Sequence, residues 1–215
     1  MSPRAERKFD AVLFDLLTAL LDSWTLWNIV AGSPEHGRKW RAAYLRRTYD
    51  TGAYRPYEAL VAEAAAEVGP SPILAAQLAA RYGELQPWPE VREVLVALRR
   101  DGMALGVVTN CSEKLAAKAI ACTGMEFDVA VTAERAGFYK PDARPYRMAL
   151  DELGVSPSRC LFVAGSAYDL FGTSKVGLPT YWHDHIGMAP PRNAPEPIAH
   201  HRSLYPLLAL VRAVE

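Results

Sequence analysis

The chain has no excess of charge of either sign. Its 24 Lys and Arg residues balance 24 Asp and Glu residues over 215 positions, and no block of like charge interrupts the pattern. A neutral chain exerts no net field that would attract nucleic acid, and it has no charged tail that would bind a partner. These absences exclude nucleic-acid binding as the expected function and favour a small-molecule partner.

Cysteine is scarce, with three residues at Cys111, Cys122 and Cys160. Their number is odd, their spacing is wide, and no pair is spaced like a zinc ligand set or a redox motif. We therefore expect reduced thiols in the cytoplasm.

Long hydrophobic runs are also missing. Residues 1–8 are polar and charged, and the apolar stretch that follows is interrupted by Asp15 and Asp22. Neither a signal peptide nor a membrane span fits this pattern, so we expect no membrane partner. The chain has no internal repeat.

What is present is a short apolar run, Ala11 to Phe14, that ends on the carboxylate of Asp15. Such a run is typical of a buried strand. Taken alone, Asp15 has two interpretations: it caps the following turn, or a buried strand delivers it as a nucleophile to the edge where open α/β sheets place their chemistry.

The next segment, to about Gln86, is rich in Ala, Leu, Arg and Glu at helical spacing, with helix ends at Gly69 and Gly83. It lies between the first strand and the next strand signal, which predicts a helical bundle inserted into an α/β core. We expect a core of residues 1–18 and 87–215 and a cap of residues 19–86.

From Pro87 onward, apolar strands alternate with helices. The predicted strands cover 105–108, 129–132, 160–163 and 180–182, with helices between them. This alternation predicts an α/β fold with a Rossmann-like, doubly wound parallel sheet. The proline-rich stretch beyond Trp182 is predicted to be a loop, and a closing helix is expected to begin near Ser203.

Polar residues follow four of these strands: Asp15, Thr109 with Asn110, Lys140, and Asp169. The carboxyl ends of parallel strands meet at one edge of a sheet, so these side chains are expected to lie together. Any one of them has an ordinary explanation, but acid, hydroxyl, lysine and acid in this order is a much more specific pattern.

With this pattern the chain resembles the haloacid dehalogenase superfamily with a helical cap after the first strand, and most of all its L-2-haloacid dehalogenases. The stretch from Lys140 to Tyr146 (Lys-Pro-Asp-Ala-Arg-Pro-Tyr) and the run from Leu161 to Trp182 are the most similar. The likeness covers nearly the whole chain. It implies a hydrolase that displaces halide from a 2-haloalkanoic acid through an aspartyl ester, and it implies a homodimer.

Two departures separate the chain from the phosphatases of that superfamily. Those enzymes carry a second Asp two residues after the nucleophile, where this chain has Leu17. They also carry a pair of carboxylates in the fourth motif, where this chain has Gly165 at the first position and keeps only Asp169. A hard divalent ion needs several oxygen ligands, so we expect no metal and no other cofactor. The leaving group should be one that needs no proton, such as halide.

The resemblance also implies a role for each site residue. Asp15 would attack the carbon that bears the halogen, while Arg41, taken as a surface arginine of the cap, and Asn110 would bind the departing halide. Thr109 and the backbone amides of Leu16 and Leu17 would hold the substrate carboxylate. The other implied catalytic or binding residues are Lys140, Asp169, Tyr146 and Ser166.

Some positions depart from the subfamily. Ala19 stands where the family has a threonine, so a hydrogen bond to Asp15 is either missing or rebuilt from Thr18, and Ala164-Gly165-Ser166 replaces Ser-x-Asn. Three alternatives therefore stay open: a weak phosphatase, a hydrolase of small-ring acids, and a silent carboxylate-binding protein. The identity and stereochemistry of the haloacid, and whether fluoride can leave, also stay open.

His183 and His185 are separated by one residue, which raises the question of a metal site. Neighbouring positions on an extended segment point opposite ways, so we favour a plain polar rim loop over a metal site at this pair.

Overall fold

The computed structural model of the chain describes residues 7–69, 71 and 73–212. Within them, six strands form one sheet in the order β3-β2-β1-β4-β5-β6, and every pairing is parallel. The predicted Rossmann-like fold is confirmed. The strands are β1 (Ala11–Phe14), β2 (Ala104–Thr109), β3 (Val129–Thr132), β4 (Cys160–Ala164), β5 (Thr180–His183) and β6 (Ala199–His201).

Helices fill the connections. They are α1 (Ser23–Val30), α2 (Pro34–Thr51), α3 (Tyr57–Val68), α4 (Ile73–Ala80), α5 (Val91–Arg100), α6 (Glu113–Cys122), α7 (Ala133–Ala136), α8 (Ala143–Leu153), α9 (Leu170–Val176) and α10 (Tyr205–Arg212). None of the helices in the described residues is long and apolar enough to cross a membrane. The three cysteines are free thiols.

Strand β1 lies at the centre of the sheet because all four of its residues are apolar and buried. It pairs with β2 on one side and with β4 on the other. Strands β2 and β3 are added on one side of β1, and strands β4, β5 and β6 on the other. This reversal of strand order opens a crevice at the carboxyl ends of β1 and β4. Asp15, the residue after β1, lies at that crevice.

The helices α1 to α4 follow β1 and form the predicted bundle. Its centre is aromatic: the ring centroids of Trp27 and Trp40 are 4.6 Å apart, and those of Trp27 and Tyr44 are 5.4 Å apart. Trp40 is fully buried and its Nε1 donates to the carbonyl of Val61 at 2.8 Å, which joins α2 to α3. The division into a cap of residues 19–86 and a core on either side stays a prediction.

The last part of the chain differs from the prediction at one point. The segment predicted as a loop contains β6, which pairs with β5. Strand β6 is an edge strand of three residues whose side chains are largely exposed, so it carries no apolar signal. The predicted closing helix is present, and the Ser203 hydroxyl accepts a hydrogen bond from the Tyr205 N–H at its start.

The tightest packing in the sheet gives a testable prediction. A Cβ atom added at Gly106 would collide with buried Val129 and Leu13 side chains. We expect Gly106→Ala to lower the free energy of unfolding by about 1–3 kcal/mol, because the stiff valine cannot move aside without strain. Urea denaturation measures the change. Gly83→Ala is the matched control, since nothing lies within 4 Å of the added atom; equal effects of the two substitutions would contradict the packing argument.

Candidate active site

The carboxylate of Asp15 is buried and held by the turn that follows it. Its Oδ2 accepts hydrogen bonds from the Thr18 N–H at 2.9 Å and from the Thr18 hydroxyl at 2.6 Å, and the Ala19 N–H lies at 3.4 Å. The backbone N–H of Asp15 donates to Val163 across the sheet at 2.9 Å. The sequence left open whether a hydrogen bond to Asp15 is missing or is rebuilt from Thr18. In the structure, the Thr18 hydroxyl supplies it.

Lys140 lies between two carboxylates. Its Nζ is 2.9 Å from Asp15 Oδ1 and 2.9 Å from Asp169 Oδ1, and all three side chains are almost fully buried. Asn110 fixes the lysine backbone from both sides, because its Oδ1 accepts from the Lys140 N–H at 2.7 Å and its Nδ2 donates to the Lys140 carbonyl at 3.1 Å. The predicted meeting of these side chains at one sheet edge is therefore observed.

Burial and charge act differently on the three groups. Burial alone would raise the pKa of Asp15, but Lys140 and the Thr18 hydrogen bonds outweigh it and hold that pKa below its usual value. At Asp169, burial and the nearby charge of Asp15 win over Lys140, and the pKa is raised. Burial opposes the charge of Lys140, yet the two carboxylates raise its pKa. The result is an ionised Asp15 beside a more basic carboxylate.

Tyr146 lies behind Asp169 rather than on the wall of the cavity described below. It is fully buried, and its hydroxyl donates to Asp169 Oδ1 at 2.8 Å. Its ring packs edge-on against Phe162, and the absence of a side chain at Gly172 makes room for it. Tyr146 thus contacts the site through Asp169.

A cavity of about 50 Å³ lies between α2 and the carboxyl edge of the sheet. A cavity needs roughly 10–15 Å³ to hold one water molecule, so this one has room for only a few non-hydrogen atoms. The residues that line it are Asp15, Leu17, Thr18, Arg41, Tyr44, Leu45, Thr48, Tyr49, Thr109, Asn110, Lys140, Pro141, Ser166, Tyr168 and Asp169.

Several donors at this cavity are unused. The buried hydroxyl of Thr109 has no hydrogen-bond partner within the described part of the chain. In the same residues, nothing accepts a hydrogen bond from the backbone N–H of Leu17, which lines the cavity, or from that of Leu16, which does not. Ser166 also lines the cavity, and its hydroxyl accepts from the Tyr168 N–H at 3.4 Å. Unpaired buried donors are costly, so the site is suited to an anionic ligand.

Arg41 comes from α2 and is only 2% exposed, so the prediction of a surface arginine is wrong. Its guanidinium packs over Trp24 and Trp27, with the carbon Cζ 4.6 Å and 5.3 Å from the ring centroids. Its Nε and Nη1 are buried without a hydrogen-bond partner among the described residues. The aromatic bundle turns this residue inward, where it places a cation at the cavity.

Pro141 and Tyr168 line the cavity without having been predicted, and so do four residues of α2: Tyr44, Leu45, Thr48 and Tyr49. They follow Arg41 at spacings of three, four, seven and eight, which is one face of a helix. This helical periodicity is the sequence signal that could have placed them beside Arg41. Tyr49 also packs edge-on against Tyr168 of the core at 5.1 Å, so the cap and the core meet over the cavity.

Steric crowding explains why position 165 is a glycine. A Cβ atom there would collide with the Ala19 nitrogen and with the carbonyl carbon and hydroxyl of Thr18. The turn that holds Asp15 thus fills the space a side chain at position 165 would need. A carboxylate cannot be added at this position without displacing Thr18. This steric limit is consistent with a site that lacks the paired carboxylates of the phosphatases.

The prediction of a polar rim loop at His183 and His185 is wrong. His183 is the last residue of β5 and is fully buried, and its ring centroid lies 5.6 Å from that of His185. Neither lines the cavity that contains Asp15.

Comparison with known proteins gives a family match. Residues 9–177 match the model of the haloacid dehalogenase-like hydrolases. The chain is 32% identical over 139 residues to (S)-2-haloacid dehalogenase 4A of Burkholderia cepacia, covering 62% of this chain and 60% of the relative. It is 26% identical over 206 residues to (S)-2-haloacid dehalogenase H-109 of Pseudomonas putida, covering 85% and 92%.

A solved structure agrees with these relatives. The chain resembles a dehalogenase crystallised with an intermediate complex, with a TM-score of 0.83 and 26% identity, covering 97% of this chain and 99% of that one. The sequence matches are shorter: the chain spans 60%, 52% and 47% of three of the curated dehalogenases that it matches.

The hydrogen bond from the Thr18 hydroxyl can be tested directly. We expect Thr18→Val to raise the pKa of Asp15, because the charged carboxylate loses a hydrogen-bond donor that helps to hold that pKa down. Titration of the labelled Asp15 carboxyl carbon by NMR measures this. Thr25→Val is the matched control, since the Thr25 hydroxyl donates to Asp22 at the same 2.6 Å on the exposed surface. An unchanged Asp15 pKa in Thr18→Val would show that the backbone N–H is sufficient.

Proposed function

Because the chain belongs to the haloacid dehalogenase-like hydrolases, we propose that it displaces halide from a 2-haloalkanoic acid to give a 2-hydroxy acid. One observation carries the proposal: an ionised, buried Asp15 and a buried Arg41 with unused donors line the same small cavity. The position where a phosphatase would place an acid for the leaving group is occupied by Leu17. A leaving group that needs no proton fits this arrangement.

In the first step, a carboxylate oxygen of Asp15 attacks the carbon that bears the halogen. The new carbon–oxygen bond forms as the carbon–halogen bond breaks, and the electron pair leaves with the halide. Arg41 binds the anion with Nε and Nη1, the donors that have no partner among the residues the structure describes. Asn110 assists with the Nδ2 hydrogen that its bond to Lys140 leaves unused.

The substrate carboxylate is proposed to bind at the edge of the sheet. The Thr109 hydroxyl and the N–H groups of Leu16 and Leu17 supply donors, and Ser166 completes the lining. Lys140 offsets the added negative charge in this buried site. A backbone N–H at the end of a strand is a rigid donor, so the acid would be oriented before the attack.

In the second step, water attacks the carbonyl carbon of the Asp15 ester. Asp169 accepts the proton, for which its raised pKa is suited, and Tyr146 positions it through the 2.8 Å hydrogen bond. The ester bond to the Asp15 carbonyl carbon breaks as Asp169 returns its proton to the departing alkoxide, and the hydroxy acid leaves with an oxygen that came from Asp15. Asp15 is released as the acid and loses the second proton of the water to solvent. Asp15 regains its carboxylate with one oxygen from water.

The small cavity sets the substrate size. A volume of about 50 Å³ has room for acids of two or three carbons. Chloroacetate and 2-chloropropionate are therefore the substrates we propose to test first. The site also argues against phosphoryl transfer, because Leu17 and Gly165 provide no carboxylate and Lys140 already binds both carboxylates that are present. Halide release measured with and without a chelator, beside phosphate release from a phosphate ester, separates the two reactions.

The covalent step has a direct test. In a single turnover in ¹⁸O-labelled water with enzyme in excess, the label should enter the peptide that contains Asp15 and should be absent from the hydroxy acid. Mass spectrometry of the peptide and of the product measures both. Asp15→Asn should release no halide, because an amide is a poor nucleophile. Label in the product at the first turnover would mean direct attack by water, with Asp15 at most a general base.

The buried guanidinium gives a second test. Arg41→Met should lower the rate of halide release by about 10²–10³-fold, because a donor to the departing anion is lost. Its melting temperature should stay equal or rise, because a buried cation without a hydrogen-bonding partner at Nε and Nη1 is replaced by an apolar chain. Arg38→Met, on the exposed face of the same helix, is the matched control and should change neither quantity. Parent-rate halide release by a folded Arg41→Met protein would remove Arg41 from the mechanism.

A further inference from the structure

A second polar cluster lies outside the cavity, where the end of β5 meets the start of α5. It consists of Glu90, His183 and His185, and one ligand atom from each lies within 4.8 Å of the other two. His183 is fully buried and Glu90 is 7% exposed. His183 Nε2 and Glu90 Oε1 are 3.6 Å apart, which is too long for a hydrogen bond.

The tautomer of His183 follows from its other nitrogen. Nδ1 lies 2.8 Å from the carbonyl oxygen of Ala19, which can only accept, so Nδ1 carries the hydrogen. In the neutral ring, Nε2 then presents a lone pair to a carboxylate oxygen, and it has no hydrogen-bond partner within the described residues. Two buried acceptors that face each other repel unless a cation lies between them.

His185 completes the cluster from the other side. Its Nδ1 is buried and also lacks a hydrogen-bond partner in the described part of the chain. Its ring stacks on Trp88, with centroids 3.8 Å apart and an angle of 17° between the planes. The indole therefore holds the imidazole plane while leaving the nitrogen free to bind.

We propose that Glu90, His183 and His185 bind one zinc-class divalent transition-metal ion. Two neutral imidazoles and one carboxylate are a ligand set that zinc accepts, and they leave a fourth tetrahedral position for water. Neighbouring ligand atoms of a tetrahedral zinc site are about 3.3 Å apart, so the observed 3.6 Å pair is nearly in place. The His185 nitrogen lies within 4.8 Å of the other two ligand atoms, so it needs to move in by at most about 1.5 Å. Magnesium and calcium prefer oxygen ligands and would not select this set.

The surroundings of the cluster have the form of a supporting shell. The Nδ1–H bond to Ala19 fixes the ring orientation of His183, and Glu90 Oε1 accepts from the Leu204 N–H at 3.2 Å. A bound ion would tie together the turn after β1, the end of β5 and the segments before α5 and α10. None of the three ligands lines the cavity with Asp15, so the role is structural and is independent of the proposed halide displacement.

The test uses the full chain stripped with a chelator and then desalted. We expect one zinc ion to bind per chain by calorimetry and by metal analysis, and a saturating excess to raise the melting temperature by on the order of 5 °C. Cobalt(II) should give the visible absorption of a four-coordinate site. Halide release by the stripped protein, measured well below its melting temperature, should be retained.

His185→Phe is the main variant, because it keeps a ring on Trp88 and removes the ligand nitrogen. It should lose the zinc-dependent rise in melting temperature and the cobalt absorption. His200→Phe is the matched control, since His200 also stacks on a tryptophan, Trp182, with centroids 4.0 Å apart, and it should keep both. If His185→Phe does not fold, Glu90→Gln replaces it with the same expectation.

Two outcomes would overturn the proposal. One is a parent protein that binds no stoichiometric zinc and gains no thermal stability from it. The other is a folded His185→Phe or Glu90→Gln protein that binds zinc and cobalt as the parent does, which would place the ion elsewhere.

Discussion

A buried ammonium group between two buried carboxylates is the interaction on which the rest of the site depends. Lys140 lies 2.9 Å from both Asp15 and Asp169, and without it two negative charges would share a region from which water is excluded. Lys140 is equally close to both acids, so the difference between them comes from their other surroundings: Asp15 accepts two hydrogen bonds from Thr18, whereas Asp169 accepts one from Tyr146. Two carboxylates of different character result, which suits the two steps of the proposed ester mechanism.

The cap supplies what the sheet lacks. A parallel sheet offers acids, hydroxyls and backbone donors at its carboxyl edge, but it has no buried cation that faces them from above. Helix α2 brings Arg41 to that position, and the aromatic bundle around Trp27 makes the placement possible by covering the alkyl part of the side chain. The stability of the bundle and the chemistry of the cavity therefore rest on the same helix.

The elements of the fold could be predicted because each strand is a short apolar run and most helices end at glycine. The acids, the lysine and Thr109 could be placed together because each follows a strand. The depth of Arg41 could not be predicted, since α2 carries several arginines and composition does not tell which one faces inward. Thr18 supplies the hydroxyl that the family has at the position of Ala19, and whether it can reach Asp15 depends on the path of one turn. The approach of Glu90 to His183 depends on how α5 meets β5, which no local pattern records.

The contact between Gly165 and the turn at Thr18 has a consequence for how such a sequence can change. The two positions are far apart in the chain, yet each occupies space that the other would need. A mutation that restores an acid at position 165 is harmful while Thr18 holds its turn, and a change of Thr18 alone weakens the support of Asp15. A carboxylate at position 165 therefore requires a compensating change at position 18, and either substitution made alone is expected to disturb the support of Asp15. Epistasis of this kind separates neighbouring activities on one fold.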